Sequence, residues 1–335
     1  ERFEVEVISV ERGFRAGKSV VWIRCTDERM QRIGPVSGMS GSPIFLYPKG
    51  MEKSGPANAR MIGAFAYGYG GGTGKDCYAG VQPIEQMLYV AARGKAAVES
   101  GAIASKPGGN GELIALGLQA AKDQNLPETV TWRLQRLAEL LDIEPAEDPV
   151  DAAPAGRMDR NTLSLPLMVS TAQDAELLTP FFKHQGITPL AANATGPAGL
   201  PPQWIAPDQV KPAPGGVLSI PLMTGDMDMP AVGTITEVLP DGTVLAFGHS
   251  FQGQGPLRVP MATGFVHFVQ PGLNGAFKLG GTLRVVGSVV NDEVAAISGT
   301  PEVESIFHPS KVQTVWPDGT KSRTFNYKNA EHKYY

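Results

Sequence analysis

The sequence predicts a mainly β protein: two β units separated by a long helical and linker insert. Three observations carry that expectation. Short runs rich in alternating apolar residues fill residues 1–90 and return over 217–313. Glycine (40 residues) and proline (28) punctuate those runs, as frequent turns between short strands require. Between the two stretches the apolar spacing changes to a helical period, and then to Pro-rich connection.

Taken in order, the first unit spans 1–92. Its strand-like runs are Phe3–Val10, Ser19–Cys25, Ser42–Tyr47, Met61–Tyr69 and Cys77–Val81. Pro83 then opens a helix over Ile84–Leu88, since proline is tolerated where the first helical N–H has no partner. Residues 93–157 form the insert. Leu113–Gln124 and Thr129–Leu141 carry apolar residues at helical spacing, with Val130, Leu134, Leu137 and Leu141 on one face. An acidic Ala/Pro linker follows over 144–157.

Residues 158–215 read as one strand and one helix over 162–187, then a Pro-rich connection over 189–216 laid across a surface. The second β unit, 216–313, has runs at Val217–Met223, Ala231–Leu239, Thr243–Phe247, Phe265–Val269, Thr282–Val290 and Val294–Ile297. The tail, 314–335, carries the hairpin signal Pro317-Asp318-Gly319 and an aromatic-tipped end.

Composition excludes several classes. A chain with 42% hydrophobic and 19% charged residues folds as an ordinary globular protein. A formal net charge of -4 lacks the basic excess of a nucleic-acid binder. No apolar run reaches the roughly 18 residues that a transmembrane helix needs. The sequence opens at Glu1, directly in a strand-like run, so a leader removed or left out is compatible with it. Cys25 and Cys77 form an even pair; a disulfide and two buried thiols both remain open.

The segment that carries chemistry is Gly38-Met39-Ser40-Gly41-Ser42-Pro43-Ile44. Glycines on either side of a serine allow a tight turn in which successive amides point into one small space. The amides of Gly38 and Ser40 can then donate to an oxyanion. Read as Gly-x-Ser-Gly-x-Pro, it is the pattern around the nucleophile of chymotrypsin-like peptidases. The alternative serine elbow, Gly-x-Ser-x-Gly, needs glycine where Ser42 stands.

Together with Thr26-Asp27-Glu28 upstream, this segment closely resembles the SpoIVB peptidase family. Gly233-Thr234 through Gly248-His249 resembles that family's element ending in Gly-His. The resemblance covers about 1–90 and 216–313. It implies Ser40 as nucleophile, His249 as general base and Asp27 as orienting acid, in a chymotrypsin-like two-barrel domain. It further implies a protein or peptide substrate, no cofactor, no metal and an extracytoplasmic location. Sporulation members run His, Asp, Ser; here the order is Asp27, Ser40, His249, so the halves are circularly permuted. That arrangement predicts that the tail returns toward the first unit.

His184, His267, His308 and His332 read as structural or surface histidines. The run Gly68–Asp76 lacks the spacing of a phosphate loop and reads as a hairpin tip. No zinc or calcium pattern is present. A second reading stays open: a non-catalytic scaffold that keeps the peptidase fold, with the insert and tail as partner surfaces. A third is self-processing followed by a structural role.

Overall fold

The computed structural model describes residues 2–15, 17–48, 50–51, 58–69, 77–103, 135, 165–169, 172–182, 187–191, 205–207, 210–271, 276–315 and 322–331. The expected helices after residue 103, the 144–157 linker, the tip at 70–76, and His184 and His332 lie outside them.

The fold is mainly β, in two sheets. The first half contains β1 (Val5–Arg15), β2 (Lys18–Cys25), α1 (Glu28–Ile33), β3 (Val36–Ser37), β4 (Pro43–Leu46), β5 (Arg60–Tyr69), β6 (Cys77–Pro83) and α2 (Ile84–Glu99). Five of its strands make one open sheet in the order β1-β2-β6-β5-β4. Alternation in these strands turns Ile23, Cys25, Ile44, Phe65 and Val81 to one shared core, as a two-residue side-chain period dictates. Cys25 and Cys77 are both buried free thiols. They stand opposite each other in the β2–β6 register.

Helix α2 follows Pro83, which occupies its N-cap position. Met87, Val90, Ala91, Gly94 and Ala97 are its buried residues, spaced three or four apart and hence on one face. That face lies against the second half. The Val90 carbonyl accepts from Asn291 Nδ2 at 3.1 Å, and Gly94 sits so close to Ser298 that a side chain there would meet its hydroxyl.

The second half runs β7 (Leu165–Val169), α3 (Ala172–Phe182), β8 (Ile187–Ala191), β9 (Val217–Gly225), β10 (Met229–Val238), β11 (Val244–Ala246), β12 (Gly255–Gln270), β13 (Ala276–Glu293), β14 (Ala296–Thr300), β15 (Phe307–Val315) and β16 (Ser322–Ala330). Six strands form a closed antiparallel ring. Its order is β9-β12-β13-β14-β11-β10, and β10 pairs back onto β9. Closure leaves none of the six as a free edge where it is paired. Leu218, Ile220, Phe247, Val259, Val289 and Ile297 belong to its hydrophobic core.

Three expectations are corrected. The Pro-rich 189–216 stretch is not irregular from its start, because β8 runs through Ala191 and pairs in parallel with β7. With α3 between them they form a β–α–β unit, and β7 joins β10. Strands β12 and β13 are far longer than their sequence runs, 16 and 18 residues. Register shifts along their pairing break the alternation that marks a strand. The tail does not return to the first unit: β15 and β16 pair as a hairpin, and β16 docks on β9 of the second sheet.

Candidate active site

The Ser40 loop lies on the seam between the sheets. Helix α1 ends at Gly34. Strand β3 then pairs in parallel with Ala276 and Phe277 at the start of β13, and residues 38–42 cross to β4. The loop is held through its carbonyls. Thr234 Oγ1 donates to Gly38 O at 2.9 Å and Thr236 Oγ1 to Gly41 O at 2.8 Å. Thr234 N donates to Ser40 O at 2.9 Å. Gly41 has φ +94°, and a Cβ there would run into the Thr234 carbonyl oxygen. The residue must therefore be glycine on both counts.

Three loop amides are committed within the fold: Met39 to Val36 O, Gly41 to Phe65 O and Ser42 to Met39 O. The Gly38 and Ser40 amides are not among these bonds. Ser40 is 0% exposed, and its Oγ has no protein hydrogen-bond partner.

His249 follows β11 through Phe247 and Gly248, both at φ +70°. This double left-handed step turns the chain sharply. Gly248 packs against Ala64 and Ala66 of β5 with no room for a side chain. Phe247 N donates to Thr234 O at 3.3 Å, so Thr234 is bonded to both the serine and the histidine segments. His249 is also 0% exposed. Its Nδ1 lies 2.7 Å from Ser250 O. A carbonyl only accepts, so Nδ1 carries the proton and Nε2 keeps its lone pair. Burial pulls the imidazole down to about 4, with the Arg15 charge adding to the shift and the Ser250 bond opposing it. His249 is thus a neutral Nε2 acceptor across the ordinary pH range. Nε2, like Ser40 Oγ, has no protein hydrogen-bond partner, and no hydrogen bond joins the two.

Asp27 does not orient His249 here. It caps α1, accepting from Arg29 N at 2.9 Å, and its carboxylate takes Arg29 Nε at 3.1 Å and Nη2 at 3.0 Å. The Arg29 side chain holds the Asp27 carboxyl below its usual range. A Thr-Asp-Glu run at a helix start is also a capping signature, and that is the role it takes. The His249 Nδ1 proton goes to a backbone carbonyl instead.

Two polar residues near the site were not anticipated. Asp292 of β13 is 0% exposed. It accepts from Phe251 N at 2.7 Å, Gln252 N at 2.6 Å and Gly253 N at 2.7 Å, which holds the loop that follows His249. Burial raises its carboxyl to about 6, against the opposing pull of those amides. The only hint in the sequence is a polar triplet, Asn291-Asp292-Glu293, set between the apolar residues Val289-Val290 and Val294-Ala295. Lys278 donates from Nζ to Thr234 Oγ1 at 3.1 Å, and its side chain packs against Gly38. Desolvation lowers its ammonium to about 8.

The remaining described histidines stay away from this chemistry. His267 is exposed, edge-on to the Phe265 ring, and His308 is exposed, 3.8 Å from Glu331. A surface recess of about 600 Å³ lies on β9 and the β15–β16 hairpin, lined by Asp226, Lys311 and Tyr327 among others; it includes neither Ser40 nor His249. Among the described residues, no group of three or more His, Cys, Asp or Glu stands together to hold a metal ion. None of the described helices is long and apolar enough to cross a membrane. The chain matches no family model, no curated protein and no solved structure.

Proposed function

We propose that the chain is a serine endopeptidase of the SpoIVB type, with Ser40 as nucleophile and His249 as general base. One observation carries the reading. Two reactive polar atoms, Ser40 Oγ and His249 Nε2, are buried on one seam without hydrogen-bond partners. Leaving a buried polar group unsatisfied costs about 1–3 kcal/mol. Native folds keep few such groups, and a catalytic role is one of the recognised reasons. The histidine tautomer also suits a base, since the free lone pair is on the outer nitrogen.

In this scheme Ser40 Oγ attacks the carbonyl carbon of a peptide bond and passes its proton to His249 Nε2. The Gly38 and Ser40 amides stabilise the oxyanion. His249 then protonates the departing amine, and water repeats the sequence on the acyl-serine. The closed six-strand ring supports a chymotrypsin-like barrel for the half that carries His249. The half that carries Ser40 is an open five-strand sheet, matching the second barrel only in part. The permuted order and an extracytoplasmic location rest on the motif resemblance.

The second reading is a non-catalytic scaffold. It is favoured by the full burial of both residues, because a substrate cannot reach Ser40 until the seam opens. A fluorophosphonate probe tests between them. Labelling of wild type that is lost in Ser40→Ala and in His249→Ala supports the peptidase. A folded wild type that stays unlabelled across pH 5–9 supports the scaffold.

A further inference from the structure

We propose that Asp292 is the acid partner of His249, acting through the peptide group between Ser250 and Phe251. The inference rests on the reading of Ser40 and His249 as the reactive pair, and it changes what completes that pair.

The observation is a continuous line of hydrogen bonds. His249 Nδ1–H donates to Ser250 O at 2.7 Å. That oxygen belongs to the same peptide unit as Phe251 N–H, which donates to Asp292 Oδ1 at 2.7 Å. Among the described residues no peptide bond is cis, so the C=O and N–H of this unit point in opposite directions. The imidazole pulls on one end and the carboxylate on the other. Each bond polarises the next: a carboxylate at the N–H end drives electron density toward the carbonyl oxygen, making it a stronger acceptor for Nδ1–H. The charge that a triad acid places against the ring is delivered here one peptide away.

The same carboxylate also fixes the geometry. Its Oδ2 takes Gln252 N at 2.6 Å and Gly253 N at 2.7 Å. Three amides converging on two oxygens set the plane of the 250–251 peptide, and with it the direction of the ring. Asp292 is therefore a positioning residue; it does not touch the imidazole. Among the described residues no cationic side chain pairs with it as Arg29 pairs with Asp27. Its neighbour Glu293 faces α2 and pairs with Arg93 at 3.0 Å. The cationic groups on the site are Arg15 of β1, whose charge acts on His249, and Lys278 of β13, bonded to Thr234 at the serine side.

A buried aspartate that merely ties down a loop would leave the ring's electronics alone, and this separates the two roles. In the full-length wild type, ¹⁵N-labelled histidine and ¹³C-labelled aspartate are followed by NMR from pH 4 to 8. The Asp292 carboxyl carbon should titrate near its raised value of about 6. The His249 Nδ1–H resonance should shift over the same interval, above the ring's own protonation near 4. A Nδ1–H signal that stays still while Asp292 titrates overturns the proposal.

The second arm is Asp292→Asn, with its fold checked by circular dichroism. Direct loss of a triad acid costs about 10⁴-fold; through an intervening peptide, fluorophosphonate labelling of Ser40 should slow by about 10- to 100-fold. Labelling at the wild-type rate also overturns the proposal. If wild type is never labelled but the Nδ1–H signal follows Asp292, the relay stands and the peptidase reading fails. If the variant does not fold, the wild-type titration decides.

Discussion

The two loops that meet at the seam are held in opposite ways. The Ser40 loop is pinned by its carbonyls, with the hydroxyls of Thr234 and Thr236 and the Thr234 amide all donating to it. The His249 loop is pinned by its amides, with three of them donating to Asp292. Each form of anchoring leaves the complementary groups for something else. On the serine side these are the loop amides not already bonded to Val36 O, Phe65 O and Met39 O. On the histidine side it is the Ser250 carbonyl, which fixes the ring. A loop's chemistry is thus set by which half of its backbone hydrogen bonding the scaffold has already taken.

The largest test of this contrast is Gly41→Ala. The new methyl group would strike the Thr234 carbonyl at a backbone angle that alanine resists. Urea unfolding should show a loss above about 4 kcal/mol, the range of combined overpacking and strain. A value under 1 kcal/mol would mean that the serine loop is not clamped to β10.

Next comes pH. Asp292 has a folded value raised to about 6 from 3.8. The folded state holds that proton more tightly, so this group's stabilisation is present at low pH and is lost as pH rises from about 4 to about 6. His249 has a folded value lowered to about 4 from 6.5. Its stabilisation is present at neutral pH and is lost as pH falls through the same window. Each effect is on the order of 3 kcal/mol, and the two oppose. Wild-type stability should therefore change little from these groups between pH 4 and 6. His249→Phe should leave a stability that falls as pH rises across this window, and Asp292→Asn one that rises. Equal slopes for the two variants in denaturant titrations would break the pairing of the loops.

Smaller effects sharpen the comparison. Thr236→Val keeps the shape and removes the hydroxyl that satisfies Gly41 O, so about 1–2 kcal/mol should be lost. Asp27→Ala should lower stability slightly through the lost cap on α1, read as an earlier midpoint in urea unfolding. It should leave the labelling rate of Ser40 within about two-fold, since no bond links Asp27 to His249. A large drop in labelling would return Asp27 to the catalytic role that the motif implies.

The legible parts of the chain were those whose information is local. The β runs of the first half carry clear alternation between Gly and Pro, and most strands fall near their runs. The Ser40 loop was visible because positive-φ turns demand glycine at fixed places. His249 was visible because it follows Phe247-Gly248 at a strand end. Asp292 was not, because its role depends on a strand some 40 residues later meeting the amides of residues 251–253, and a buried carboxylate leaves no periodic mark. Strands β12 and β13 were read short for a related reason: bulges interrupt the period on which strand recognition depends. Asp27 was misread because helix capping and triad membership select the same residue type.

The bonds that clamp the serine loop join residues 196 and 195 positions apart in the chain. Contacts of such long sequence separation form slowly and late. While the polypeptide is being made, the Ser40 loop emerges long before Thr234, His249 and Asp292 exist. During that interval the serine loop has neither its threonine clamp nor the His249 segment bonded to the same threonine. The seam is thereby tied to completion of the second half, so a truncated product would carry the Gly38–Ile44 motif without the clamp that buries it.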